Sequence, residues 1–310
     1  MAVPITALMC HAPVVVPPVG KTSADACAST TAAMRRVAEA IVASRPDVLV
    51  VVSPHTPRTP DDWRLVCNPV GRDHLRVHFG EFESPQVRFE LPGAHEARGR
   101  VARVALQHGL HTESYEPEFV DQGAAVPLYF LHEARWNGPT LVVGLPWREG
   151  TEAVMGEVLR AVSGQERWAI VASGDMSHRL KPGAPAGHDK RAPAFDQQVV
   201  QLLKAGDLRG VADLDPELRK IAAEDVVAPV TVAAAATRWK SDQHKVLCYE
   251  GPYGVGYCAA ILSQGVEART PAGATSEPFR TGIARGPGPL GPVSPDAATP
   301  VTLPGRTPRR

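Results

Sequence analysis

Short runs of valine, isoleucine and leucine alternate along this chain with longer stretches whose apolar residues recur every three to four positions. Ile5–Met9 is uninterrupted by charge and predicts a first strand. Asp25–Ser44, with its alanines and with Met34, Val37, Ile41 and Val42 at helical spacing, predicts a helix, after which Pro46 and Asp47 introduce the apolar run Val48–Val52. This strand, helix, strand unit recurs. His95–His108 reads as helical, Thr140–Gly144 as a strand, Glu152–Val162 as helical and Trp168–Ala172 as a strand. Pro193–Leu203 and Ala222–Trp239 read as two further helices, and Lys245–Tyr249 and Gly256–Leu262 as closing strands whose short connection suits an antiparallel hairpin at one edge. Such alternation predicts an α/β fold, a single domain with a central, largely parallel or mixed sheet flanked by helices.

Near residue 265 the pattern stops. Residues 266–310 are rich in proline, glycine, serine and threonine with few large apolar side chains, too little to offset the entropy of ordering, which predicts a disordered C-terminal tail beyond a domain spanning 1–265. The 310 residues, 44% hydrophobic, can bury one large core. Lysine plus arginine number 33 and aspartate plus glutamate 33, so no net field draws nucleic acid or an anionic membrane, and small neutral or weakly charged partners are favoured. Five cysteines, Cys10, Cys27, Cys67, Cys248 and Cys258, lack CxxC spacing and a disulfide-framework pattern, which points to a reducing, cytoplasmic compartment. The first twenty residues lack the basic segment of a secretion signal, and no run reaches the ~18 apolar residues of a membrane span.

The candidate chemistry lies at strand ends. Ile5–Met9 leads into Cys10-His11-Ala12-Pro13, Val48–Val52 into Ser53-Pro54-His55, and Trp168–Ala172 into Ser173-Gly174-Asp175-Met176-Ser177-His178. The carboxyl edge of an α/β sheet is where ligands bind, and three histidines on one such edge are hard to attribute to packing. The first two strands are expected to be sheet neighbours. Two imidazoles and one carboxylate make the set that holds ferrous iron while leaving positions open. For the carboxylate, Glu224 and Asp225 are the leading choices, with Glu224 slightly preferred and Glu250 in reserve. An acidic pair at the start of an alanine-rich helix also suits the helix dipole, so a capping role stands beside the ligand role.

Taken in series, His11-Ala-Pro, Arg45-Pro-Asp-Val-Leu-Val-Val-Val-Ser-Pro-His55, Val120-Asp-Gln-Gly-Ala-Ala-Val-Pro-Leu128 and Ser173-Gly-Asp-Met-Ser-His178 resemble the catalytic subunit of class III extradiol ring-cleavage dioxygenases over about residues 5–262. That superfamily also holds Memo-like proteins, which keep the scaffold with a changed metal site. The resemblance implies Fe(II), or another divalent metal, held by His11, His55 and a carboxylate at Glu224 or Asp225. It further implies His178 as acid/base and Asp121, Gln122 and Ser177 in the substrate and oxygen pocket. The implied partners are a small catechol- or aminophenol-type aromatic and O2, in a homo-oligomer with room for a small partner subunit. Family members usually carry histidine before the Val-Pro-Leu helix, where this chain has Gln122, and glutamine donates a hydrogen bond but cannot shuttle a proton. The readings that follow are a ring-opening dioxygenase, a Memo-like metal-binding or redox-related protein without turnover, and, least favoured, a metal-dependent hydrolase.

Overall fold

The computed structural model describes residues 3–66, 74–164 and 166–265. In chain order the elements are β1 (Ile5–Met9), α1 (Pro17–Gly20), α2 (Ala28–Ala43), β2 (Val48–Ser53), β3 (Trp63–Val66), β4 (His74–Phe79), β5 (Ser84–Pro92), α3 (His95–Gln107), β6 (Thr112–Tyr115) and α4 (Gln122–Glu133). They continue with β7 (Thr140–Gly144), α5 (Glu152–Ser163), β8 (Trp168–Ser173), α6 (Ala192–Ala205), α7 (Leu208–Ala212), α8 (Pro216–Ala222), α9 (Val227–Ala236), β9 (Lys245–Glu250) and β10 (Tyr257–Gln264).

Eight strands form one mixed sheet in the order β6-β3-β7-β2-β8-β1-β10-β9. The central strands β7, β2, β8 and β1 run parallel and every residue in them is buried, as expected of strands covered on both faces. Alternation divides their side chains between two cores. Val48, Val50 and Val52 of β2 pack with Trp168, Ile170 and Ala172 of β8 on the face covered by α3, α5 and α9, whereas Leu49 and Val51 pack with Ala169 and Val171 on the face covered by α2 and α4. The expected edge hairpin forms, β10 lying antiparallel to β1 and β9 antiparallel to β10.

One expected helix is broken. In place of a continuous helix over Ala222–Trp239, α8 ends at Ala222, Ala223 adopts the left-handed conformation (φ 53°), and α9 starts at Val227. Pro229 is the physical reason. Deep inside an unbroken helix it would remove a hydrogen bond and clash with the preceding turn, whereas the first turn of α9 tolerates it. Glu224 and Asp225 therefore lie in a tight connection, not on successive positions of a helix.

The described residues fall within one contact unit, 1–267, and the expected tail at 266–310 and Cys67 lie outside them. Among the described residues no helix is long and apolar enough to cross a membrane.

Candidate metal centre

His11 and His55 emerge at the carboxyl ends of β1 and β2, but these strands are not neighbours: β8 runs between them and pairs in parallel with both. The separation of two strand spacings is bridged by the side chains, whose Nε2 atoms approach to 3.0 Å with the rings edge to face. Asp225 completes the group from the connection between α8 and α9. Its Oδ2 lies 3.4 Å from each Nε2.

The sequence placed Glu224 slightly ahead of Asp225, and the geometry reverses that order. Glu224 turns away to accept hydrogen bonds from the backbone N–H groups of Val226 (2.7 Å) and Val227 (2.8 Å) and from Arg219 Nε (2.7 Å), so it caps α9 and pairs with a guanidinium. Glu250 accepts from the Thr30 N–H (2.8 Å) and hydroxyl (2.5 Å) at the start of α2 and is likewise committed elsewhere.

Asp175, on the loop after β8, was not singled out from the sequence, although it stands inside the quoted Ser173–His178 segment. Its Oδ1 accepts the His11 N–H (3.0 Å), and its own N–H donates to Asp225 Oδ1 (2.7 Å). It thereby ties the ends of β1 and β8 to the Asp225 connection. Ser173 Oγ lies 3.1 Å from His11 Nδ1 and fixes the other side of that ring. Glycine at position 174 allows the close approach, since a Cβ there would lie 2.5 Å from Val226 Cα.

Asp121 is the N-cap of α4. It accepts from the Ala124 N–H (3.1 Å), Ser53 Oγ (2.5 Å) and Thr56 Oγ1 (2.6 Å), joining α4 to the loop that carries His55. Gly123 permits this junction, because a Cβ there would stand 2.3 Å from Ser53 Oγ and 3.3 Å from His55 Cβ. Gln122 opens α4 beside it and is half-buried.

Ser177 and His178 follow on the β8 loop. The Ser177 N–H donates to Asp196 Oδ1 (2.8 Å) and its hydroxyl to the Ala222 carbonyl (3.2 Å), which makes its hydrogen bonds internal to the scaffold. The His178 N–H donates to the same carbonyl (2.9 Å), and its Nδ1 is buried without a hydrogen-bond partner among the described residues. The charge of His178 acts on Asp175 and on Asp225, so the ring lies within electrostatic reach of the centre.

Asp196, fully buried on α6, supports this loop. Burial pushes its carboxyl up to about 6, against the hydrogen bonds from Tyr249 and the Ser177 N–H and the charge of His178. The ordinary value is about 3.9, so the folded state holds this proton more tightly than the unfolded chain does. The ionised carboxylate therefore destabilises the fold above about pH 6, and the penalty is relieved as the pH falls toward about 4. In urea unfolding, Asp196→Asn is expected to gain on the native chain by up to about 3 kcal/mol between pH 4 and pH 7. A difference independent of pH contradicts this account.

The electrostatics of the centre call for a cation. Burial disfavours charge on His11, yet Asp175 and Asp225 beside it raise its pKa to about 9. Burial likewise pushes Asp225 upward, but the charge of His11 and the hydrogen bonds with His11 and His55 hold it well below the usual carboxylate range. A divalent ion suits the same donors. The three atoms, 3.0, 3.4 and 3.4 Å apart, match the separations of ligands held ~2.1 Å from one ion at mutual angles of about 90–110°. Among the described residues these three alone form such a group.

Two histidines and a carboxylate thus converge at the carboxyl edge of a mixed α/β sheet, the edge at which such folds bind ligands. The family model for the catalytic LigB subunit of aromatic ring-opening dioxygenase matches residues 5–260, and the chain belongs to this family. It is similar to Protein CA_C1420 of Clostridium acetobutylicum, with 27% identity over 264 residues, 81% of this chain and 55% of that protein. The chain thus spans about half the length of this relative. In fold it is similar to the crystal structure of uncharacterized protein JW3007 from Escherichia coli K12 (TM-score 0.50, 13% identity), over 73% of this chain and 91% of that one.

Substitution of the two acidic neighbours separates their roles. Asp225→Asn is expected to remove stoichiometric metal binding, since the amide carries no charge to offset the ion. Glu224→Gln should keep the metal and lower stability by about 1–3 kcal/mol through the weakened Arg219 and helix contacts. Elemental analysis with chemical unfolding checks both, and equal metal content in the two variants overturns the assignment.

Proposed function

We propose that this protein is a non-haem Fe(II)-dependent extradiol dioxygenase that opens a catechol- or aminophenol-type ring with O2. The observation that carries this reading is the converging group of His11 Nε2, His55 Nε2 and Asp225 Oδ2 at the sheet edge. Ferrous iron, when bound, would supply a Lewis acid and a one-electron donor with positions left for an aromatic chelate and for O2.

The protein's own part is orientation and proton handling. Ser173 holds the His11 ring at Nδ1, Asp175 anchors the His11 backbone N–H, and Asp121 fixes the loop of His55, so both imidazoles are positioned before a metal arrives. The His178 ring takes the proton of a substrate hydroxyl and returns it to the opened product, a task suited to an imidazole near neutral pH. Gln122 at the start of α4 can donate a hydrogen bond to a bound ligand but cannot replace His178 as a proton carrier.

Oxygen uptake tests the reading. The full chain is loaded anaerobically with Fe(II) and then exposed to O2 with a panel of catechols and aminophenols. The expected result is one O2 consumed per yellow ring-opened product. Full iron occupancy with no uptake across the panel favours the second reading, a Memo-like metal-binding or redox-related protein, to which the glutamine at position 122 already points.

A further inference from the structure

Asp196 breaks the pattern of its own helix. The buried stripe of α6 is otherwise Ala192, Phe195, Val199, Val200 and Leu203, and Asp196 sits within it with no exposure to solvent. A buried carboxyl costs stability unless its oxygens are bonded, so an apolar residue would suit the stripe better on packing grounds alone. Both oxygens are in use. Oδ1 accepts the Ser177 N–H (2.8 Å) and Oδ2 the Tyr249 hydroxyl (2.7 Å), so one side chain ties α6 and β9 to the loop that follows β8.

Ser177 directly precedes His178. The main chain around it is held on both sides: the Met176 N–H donates to the Gly256 carbonyl and the Gly256 N–H to the Ser177 carbonyl, each at 2.8 Å, while the His178 N–H donates to the Ala222 carbonyl (2.9 Å). Gly256 lets the carboxyl group come this close, since a Cβ there would stand 2.1 Å from Asp196 Oδ2 and 3.0 Å from Met176 Cβ. Two residues before Ser177, Asp175 accepts the His11 N–H and donates its own to Asp225. The loop is thus pinned at 175 to the metal centre and at 177 to Asp196, which fixes the backbone from which the His178 ring projects. The charge of His178 acts on Asp196, so the two groups lie within electrostatic reach.

We infer that Asp196, with Tyr249 behind it, is a positioning residue that sets the His178 ring against the metal centre. The inference deepens the ring-opening reading and rests on it for the task that His178 performs. Asp196 acts through the Ser177 N–H and takes no proton from the substrate itself. Asparagine would keep both of its bonds, accepting from Ser177 through the amide oxygen and donating to the Tyr249 oxygen through the amide nitrogen. Alanine would keep neither.

The test uses the full chain loaded with Fe(II), with kcat expressed per bound iron. D196A should lower kcat about 10–100-fold, the effect of displacing a reacting group by about 1 Å, while KM and iron content stay near native. D196N should regain most of that loss. Y249F, which frees one oxygen of Asp196 and stands in should D196A fail to fold, should fall between them. V199A, a truncation in the same buried stripe, controls for lost stability and should leave kcat per iron alone. A native kcat per iron in D196A, or in Y249F where D196A does not fold, overturns the inference. So does an equal loss in D196A and V199A, or a D196N variant as slow as D196A. A second readout needs no turnover: labelling of His178 by diethyl pyrocarbonate, followed by peptide mass spectrometry, should be several-fold faster in D196A and Y249F than in the native chain, D196N and V199A. Equal labelling in all five overturns the role of Asp196. That labelling difference without turnover by the native chain supports the role and overturns the ring-opening reading instead.

Discussion

His55→Ala is expected to abolish stoichiometric iron binding while leaving the fold in place. The His55 side chain is 38% exposed, so its truncation opens little buried space. What it removes is one of only three donors, together with the 3.4 Å contact to Asp225. Loss of a supporting hydrogen bond around a metal ligand lowers affinity about 10–100-fold, and loss of the ligand itself should exceed that. His11→Ala should lose the metal as well, but with lower stability. His11 is fully buried, and its removal leaves Asp175 and Asp225 facing each other without the imidazole between them. Elemental analysis paired with far-UV circular dichroism distinguishes the two outcomes. Full iron occupancy in His55→Ala overturns the metal centre.

The central strands were legible in the sequence because burial on both faces leaves an uninterrupted apolar run. Thr140–Gly144 and Ile5–Met9 form with the expected bounds, and Trp168–Ala172 extends by only one residue, to Ser173. Strands at the margin carry no such run. β6 reads Thr-Glu-Ser-Tyr with no residue buried, and β5 buries only Ser84 and Leu91 along Ser84–Pro92, so neither could be told from loop. The ribbon of β4 and β5 is fixed by pairing with its partner strand, a non-local contact that no window of sequence contains.

The site was legible in part for the same reason. His11 and His55 follow strongly apolar runs and could be placed on one edge, but strand order could not be read, so the intervening β8 was missed. The carboxylate was ambiguous because its choice depends on a break in the helical pattern. Pro229 was the available signal for that break, and once α9 begins at Val227, Glu224 serves as its cap while Asp225 is left to face the histidines. Asp175 gave no periodic signal of its own. Its significance appears only when loops from distant parts of the chain meet.

His178→Ala is expected to keep iron and still bind an aromatic ligand, yet to turn over about 10²–10⁴-fold more slowly, the usual contribution of a positioned acid or base. The main chain at this position is secured without the ring, since the His178 N–H donates to the Ala222 carbonyl and its own carbonyl accepts from the Ala186 N–H (3.2 Å). Truncation should therefore leave the loop and the three metal donors where they are. The buried, unpartnered Nδ1 makes a purely scaffolding role a poor account of the ring, because an unsatisfied polar atom weakens a fold instead of supporting it. On the scaffolding account, the alanine variant changes stability by about 1 kcal/mol and leaves the rate alone. The comparison needs a substrate with measurable ring opening, followed as absorbance of the yellow product, with iron quantified in the same samples so that rate is expressed per bound metal. A variant that cleaves at the native rate per iron removes His178 from the proton path, and the acid/base function must then pass to another group or to water.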